Sequence, residues 1–298
     1  MAEGTPIFGT MIPAMVTPFD KDGELDLDQA QKLAERLAEG GANGLVINGT
    51  TGESPTVFYP QKMKLFSAVV EAVGGKVPIV ANVGDNCTAD TVDFARNVEK
   101  LGVDGLMLVV PYYNKPPQEG LYRHFRTIAE SVDKPVIMYN IPGRCVINMT
   151  AETTLRLAND VKNIVAIKEA SGDMEQIKQI IDNAPDNFWV YSGDDDQTYD
   201  IMKLGGAGVI STVGNVAPGR MREIVDLCSK GDFEAASVAN EALRPLMREL
   251  FTTSNPIMVK EALNLSGFNV GGLRLPLIPA TPEQSAELAD VMRQVGVL

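Results

Sequence analysis

Residues 164–170 read Ile-Val-Ala-Ile-Lys-Glu-Ala, a short apolar, β-branched run that ends in a lysine. Lysine is depleted in strands and rarely buried without a partner, so Lys168 calls for an explanation, and the run itself belongs to a series. Similar runs are "IPAMVTPF", "GLVINGT", "VPIVANVG", "GLMLVVPYY", "PVIMYNIP", "FWVYSGDD" and "GVISTVGN". Between them lie segments such as "LDQAQKLAERLAEGGA" and "TADTVDFARNVEKLGV", with apolar residues at helical spacing and glycine where a left-handed C-cap is needed. Strand-helix alternation implies a parallel sheet. Eight such units fit an α/β fold of the (β/α)8 TIM-barrel type, typically about 250 residues long. After Pro218 the pattern is helical only: "GRMREIVDLCSKGD", "FEAASVANEALRPLMRELF", "PIMVKEALNLSG" and "TPEQSAELADVMRQVG". The expected organisation is a barrel over residues 1–223 and a C-terminal helical extension over 224–298. A doubly wound open sheet is the rival, but its Gly-rich dinucleotide fingerprint is missing after the first strand.

The chain has 298 residues, 45% of them hydrophobic, and a formal charge of -13. That charge disfavours nucleic acid and anionic membranes and favours a small-molecule partner. No run reaches the roughly 18 apolar residues of a membrane helix, and "MAEGTPIFGT" lacks a signal peptide's basic start and apolar segment, so a cytoplasmic location is expected. Cys87, Cys145 and Cys228 are too widely spaced for a paired-cysteine zinc site. His124, the single histidine, lies in the amphipathic "EGLYRHFRTIAE", where a surface or helix-packing role is expected. Acid-base work then falls to Tyr, Lys, Asp or Glu. "DKDGELDLD" carries Gly23 too early for a calcium loop, and a turn with a cap from Asp26 or Asp28 is expected instead. In "SGDDDQ" the acidic residues suit a helix N-terminus. No metal and no cofactor are expected.

In a TIM barrel the reacting groups sit at the C-terminal ends of the strands. Those ends carry Thr50 and Thr51, Tyr112 and Tyr113, Tyr139, and Lys168. Alternation places Lys168 on the face of Ile164 and Ala166, opposite Val165, Ile167 and Glu169. Inside the barrel, desolvation lowers a lysine pKa and yields a nucleophilic amine suited to a Schiff base with a ketone. Tyr139, Thr50 and Tyr113 can move the protons that step needs. A lysine at a strand end that snorkels to solvent or pairs with Glu169 is the plainer alternative.

Taken together, "GTTGES", "PYYNKPPQEGLYRHF", "YNIPGR", "IKEASGD", "SGDD" and "GVIS" resemble the dihydrodipicolinate synthase family of pyruvate-dependent class I aldolases over nearly the whole chain. The resemblance implies a barrel with a C-terminal helical region and the condensation of pyruvate with L-aspartate 4-semialdehyde on the route to diaminopimelate and lysine. It implies that Lys168 forms the imine, that Tyr139, Thr50 and Tyr113 form a proton relay, and that the Thr50 and Thr51 amides hold the pyruvate carboxylate. Ile210 and Gly193 would line the pocket. Arg144 matches the residue that binds the semialdehyde carboxylate, where a planar fork suits bidentate pairing. Cys145 stands where many relatives carry Thr or Ser. Sialic acid lyases and sugar-acid aldolases share the lysine, the tyrosine and a similar loop; a small-molecule-binding barrel without catalysis is the non-enzyme alternative. The resemblance further implies a homo-oligomer, a tetramer formed as a dimer of dimers, with Tyr113 entering the neighbouring active site. The family's lysine-inhibition cleft corresponds to Ser54, Pro55, Tyr59, Lys62, Asn86, Asp90 and Tyr112, with Tyr59 and Lys62 where lysine-sensitive members carry histidines. A cation at Lys62 would repel an incoming ammonium, with Asp90 offsetting part of the repulsion, so weak or absent lysine inhibition is expected.

Overall fold

The computed structural model describes residues 4–298. Eight parallel strands form the inner layer: β1 Met11–Pro13, β2 Leu45–Ile47, β3 Ile79–Asn82, β4 Gly105–Val109, β5 Val136–Asn140, β6 Ile164–Glu169, β7 Trp189–Ser192 and β8 Gly208–Ser211. Their order is β1-β8-β7-β6-β5-β4-β3-β2. A bridge from Ala14 to Val46 joins the two ends of that order and closes the barrel. Seven of the eight expected runs contain one of these strands, and β1 begins one residue before the first run. Each is short, and both faces are covered, which is why the runs read as nearly continuous apolar stretches.

The outer layer is helical: α1 Leu27–Glu39, α2 Tyr59–Val73, α3 Thr88–Val98, α4 Gln118–Ala129, α5 Pro142–Cys145, α6 Ala151–Asp160, α7 Met174–Asn183, α8 Thr198–Lys203 and α9 Pro218–Ser229. Several of these helices begin where a side-chain oxygen satisfies an orphan backbone donor. Asp26 accepts from the Gln29 N–H, Thr150 from Thr153 and Asp173 from Gln176. "DKDGELDLD" is therefore a turn leading into the Asp26 cap of α1. Three further helices, α10 Phe233–Glu249, α11 Ile257–Leu265 and α12 Pro282–Gln294, follow. The expected boundary between residues 223 and 224 falls inside α9. That helix packs against β1 and against α8, so the barrel's last helix runs on to Ser229. Gly231, at φ 77, turns the chain away after it. No helix among the described residues is long and apolar enough to cross a membrane.

The core is split by the sheet. Phe8, Ile12, Val46, Val80, Met107, Ile137, Tyr139, Ala166, Tyr191 and Ile210 fill the barrel interior. A larger cluster lies between strands and helices. Phe8 closes one end, and a side chain on Gly105 would meet its ring at 2.4 Å. Ile164 belongs to the outer cluster, contrary to the alternation read from the sequence. Val136 pairs with Ile164 but Ile137 pairs with Ala166, so the register skips Val165. A bulge of this kind inverts the facing of everything before it, while Ala166 and Lys168 keep the inward direction.

Candidate active site

Tyr139 and Lys168 are register partners on β5 and β6, and Lys168 pairs on its other side with Tyr191 of β7. Lys168 is buried, with its Nζ 4.4 Å from the centroid of the Tyr139 ring. Desolvation is the main influence on the amine and brings its pKa down to about 8. Asp195 and Asp194 work against that shift, and the positive charge of Arg144 adds to it. The surface alternative for Lys168 fails on geometry: Glu169 points to the opposite face. There its carboxylate accepts from Asn140 Nδ2 at 3.1 Å, the Ser171 N–H at 2.8 Å and Gln176 Nε2 at 3.3 Å.

Tyr139 is buried as well, and desolvation pushes its phenol up to about 12, with the Thr50 hydroxyl opposing the shift. A phenol held protonated donates or passes a proton without standing as a buried anion. Thr50, Tyr139, Val109, Ile141 and Arg144 share one pocket of about 380 Å³, which extends to Lys62, Asp85 and Tyr112. Thr51 is buried and its Oγ1 accepts from Asn255 Nδ2 at 2.9 Å. Arg144 is exposed at the mouth; its Nη2 donates to the Asn255 carbonyl at 3.1 Å. Cys145 takes the buried side of α5 and directs its Sγ to the Val110 carbonyl at 3.1 Å. Ile210 lies in the barrel interior. Gly193 sits where β7 leaves the sheet, its N–H bonded to the Glu169 carbonyl at 2.7 Å.

Tyr113 is not brought to this cluster within the chain. It is 89% exposed and held at φ 74. Of the positions matched to the regulatory cleft, Ser54, Pro55, Lys62 and Tyr112 line this same pocket. Ser54 Oγ accepts from Lys62 Nζ at 3.2 Å, Tyr112 donates to Asp85 at 3.2 Å, and Asn86 Nδ2 donates to the Tyr112 carbonyl at 3.1 Å. Tyr59 accepts from Asn97 Nδ2 at 3.0 Å and its ring packs on Phe94. Asp90 is exposed in the first turn of α3. The carboxylate facing Lys62 is Asp85, not Asp90: burial lowers the Lys62 pKa and Asp85 opposes it.

Sequence reading missed three contributors. Asp85 follows β3 with no motif around it. Asp195 is buried and takes Ser211 Oγ and the Thr212 and Val213 N–H groups, with desolvation raising its pKa to about 6. It ties the β7 end to the β8 end, a role that the reading of these residues as a helix start does not include. Asn255 bridges Thr51 and Arg144 from more than a hundred residues away. His124 packs inside, as its amphipathic helix allows, with Nδ1 2.9 Å from the Thr88 hydroxyl.

Residues 7–295 match the dihydrodipicolinate synthetase family. The chain is 50% identical to the 4-hydroxy-tetrahydrodipicolinate synthase of Symbiobacterium thermophilum over 98% of this chain and 100% of that one. Its fold superposes on the dihydrodipicolinate synthase of Cyanidioschyzon merolae, solved with lysine bound, with a TM-score of 0.97 and 42% identity over 99% and 100% of the two chains. A dihydrodipicolinate synthase variant characterised as monomeric matches with a TM-score of 0.96 and 44% identity over 98% of each chain. With an inward lysine and tyrosine at adjacent strand ends and this likeness along its whole length, the chain belongs to the dihydrodipicolinate synthetase family.

Proposed function

We propose that the chain condenses pyruvate with L-aspartate 4-semialdehyde, with Lys168 carrying pyruvate as a Schiff base. The observation that carries this reading is the buried Lys168 amine, brought down to about 8 and set against Tyr139. A neutral amine attacks the C2 carbonyl of pyruvate, and the carbinolamine loses water as protons pass through Tyr139 and Thr50. Loss of a methyl proton gives the enamine, whose C3 attacks the aldehyde carbon of the second substrate. The amine of that substrate then displaces Lys168 by transimination, which closes the ring and frees the enzyme. Thr50 and Thr51 hold the pyruvate carboxylate, Ile210 and Gly193 shape the pocket, and Arg144 takes the semialdehyde carboxylate from the mouth.

The proposal includes assembly. A phenol 89% exposed on left-handed backbone does nothing for its own site; reaching into a neighbouring copy, Tyr113 completes that copy's relay. A tetramer built as a dimer of dimers meets this need, and a cytoplasmic location goes with the proposed reaction. The test is borohydride reduction in the presence of pyruvate, which leaves a pyruvate-derived mass on Lys168, with turnover of aspartate semialdehyde measured beside cleavage of sialic acid. An adduct on another lysine, or sialic acid cleavage without condensation, overturns the reading.

A further inference from the structure

The loop that carries Thr50 and Thr51 is held from outside the barrel. Asn48 and Glu53, at φ 58 and φ 54, bracket it in left-handed backbone that side chains rarely adopt. Between them the chain doubles back on itself. The Gly52 N–H donates to the Gly49 carbonyl at 3.0 Å and the Glu53 N–H to the Thr50 carbonyl at 3.1 Å, and a side chain on Gly52 would meet the Asn48 Cα at 2.9 Å. Such a loop needs surroundings that over-determine it.

Glu53 supplies them. One carboxylate oxygen pairs with Lys260 Nζ of α11 at 2.8 Å, with the two side chains 1% and 2% exposed. The other accepts the Arg274 backbone N–H at 3.0 Å. Lys260 also donates to the Gly272 carbonyl and lies 4.2 Å from the Phe19 ring centroid. The Arg274 guanidinium, 4.3 Å from the same ring, donates to the Thr56 carbonyl and to Gln61 Oε1, both at 2.8 Å. Both carboxylate oxygens of Glu53 and two of the three Lys260 ammonium protons are thus committed within this pair or to the C-terminal region, and the ammonium lies against the Phe19 ring. A buried ion pair contributes little net stability over a well-packed apolar replacement, because desolvating two charges offsets their attraction. Its distinctive property is that it fixes one geometry. None of these groups lines the pocket, so the pair acts through the loop.

We propose that the buried Glu53–Lys260 pair is a positioning device for the pyruvate-binding loop, which makes the C-terminal helical region part of the substrate-binding machinery. The inference rests on the reading that Thr50 and Thr51 hold the pyruvate carboxylate. It is tested with Glu53→Gln, which keeps the shape and an acceptor, and with the double variant Glu53→Gln/Lys260→Met, which leaves no lone buried charge and keeps the measurement possible where the single variant fails to fold. In the double variant the KM for pyruvate rises about ten- to a hundredfold, the penalty expected of a slightly misplaced anchor, while the melting temperature stays close to the parent. Borohydride at saturating pyruvate still labels Lys168. A KM that stays at the parent value, or one that follows the melting temperature from variant to variant, overturns the proposal. Failure to label Lys168 in the parent is a separate outcome: it removes the Schiff-base reading on which the inference rests.

Discussion

In the proposed reaction Lys168, a cation by default, serves as a nucleophile because of its placement. Its pKa, brought from 10.5 to about 8 chiefly by burial, sets two expectations of opposite practical use. The neutral amine is the attacking form, so the rate of borohydride-trapped adduct formation should climb with pH and reach half its plateau near 8; a flat profile between pH 6 and 10 would show that the amine is not the titrating nucleophile. Stability carries the complementary sign. Between about 8 and 10.5 the unfolded chain holds a proton on this lysine that the folded chain has released, so folding stability rises with pH across that window. Below it the folded protein bears the full penalty of a buried charge, on the order of 3 kcal/mol. Lys168→Met should therefore melt above the parent at pH 7, with an advantage that shrinks as pH rises from 8 towards 10.5, which calorimetry across that range can follow.

At the scale of elements, the site depends on how closely β6 and β7 approach where they leave the sheet. Gly193 makes that approach possible. A Cβ there would lie 2.6 Å from the Ala170 Cβ and 2.9 Å from the Glu169 carbonyl, one residue beyond Lys168. Gly193→Ala should force the two strand ends apart, lower stability by about 1–3 kcal/mol as overpacking does, and slow adduct formation on Lys168. Denaturant unfolding and trapping kinetics measure the two effects separately; a variant as stable and as fast as the parent would show that the strand ends are not rigidly coupled. The neighbouring polar network of Asn140, Asn148, Glu169 and Gln176 braces the ends of β5 and β6 from the outer face. It is why a buried Glu169 next to Lys168 in sequence does not pair with that lysine.

The whole molecule decides what Tyr113 and Lys62 do. Mixing Tyr113→Phe subunits with Lys168→Ala subunits should restore activity in hybrids if the phenol works across an interface, because one site then regains both groups. Hybrids confirmed by mass and still inactive would confine the tyrosine to its own chain. For regulation, Lys62 is half-buried with its ammonium 3.2 Å from Ser54 Oγ and 5.7 Å from the Phe94 ring centroid. Burial already disfavours its charged form, and a second ammonium in the cleft adds repulsion of about 1 kcal/mol in water and about 4 kcal/mol at an effective dielectric of 20 for charges 4 Å apart. Steady-state titration with lysine should show weak or absent inhibition, and Lys62→His should strengthen it; strong inhibition of the parent would mean that Asp85 absorbs the charge.

The alternation of eight apolar runs with helical segments was legible because strand and helix periods are local properties of the chain. The same locality made the strand-end residues Thr50, Tyr139 and Lys168 legible as a group once the barrel was recognised, since the fold presents those ends on one face. What only the tertiary structure decided depends on partners far apart in sequence. The bulge at Val165 turned Ile164 outward because its register is set against Val136 and Ile137. Asp85 replaced Asp90 as the carboxylate facing Lys62, because side-chain direction follows from packing against neighbouring strands and helices and not from spacing. Tyr113 left its own cluster, since a left-handed turn carried it outward. Glu53 found Lys260, and Thr51 found Asn255, each across more than two hundred residues. Such contacts exist only after the chain has closed on itself.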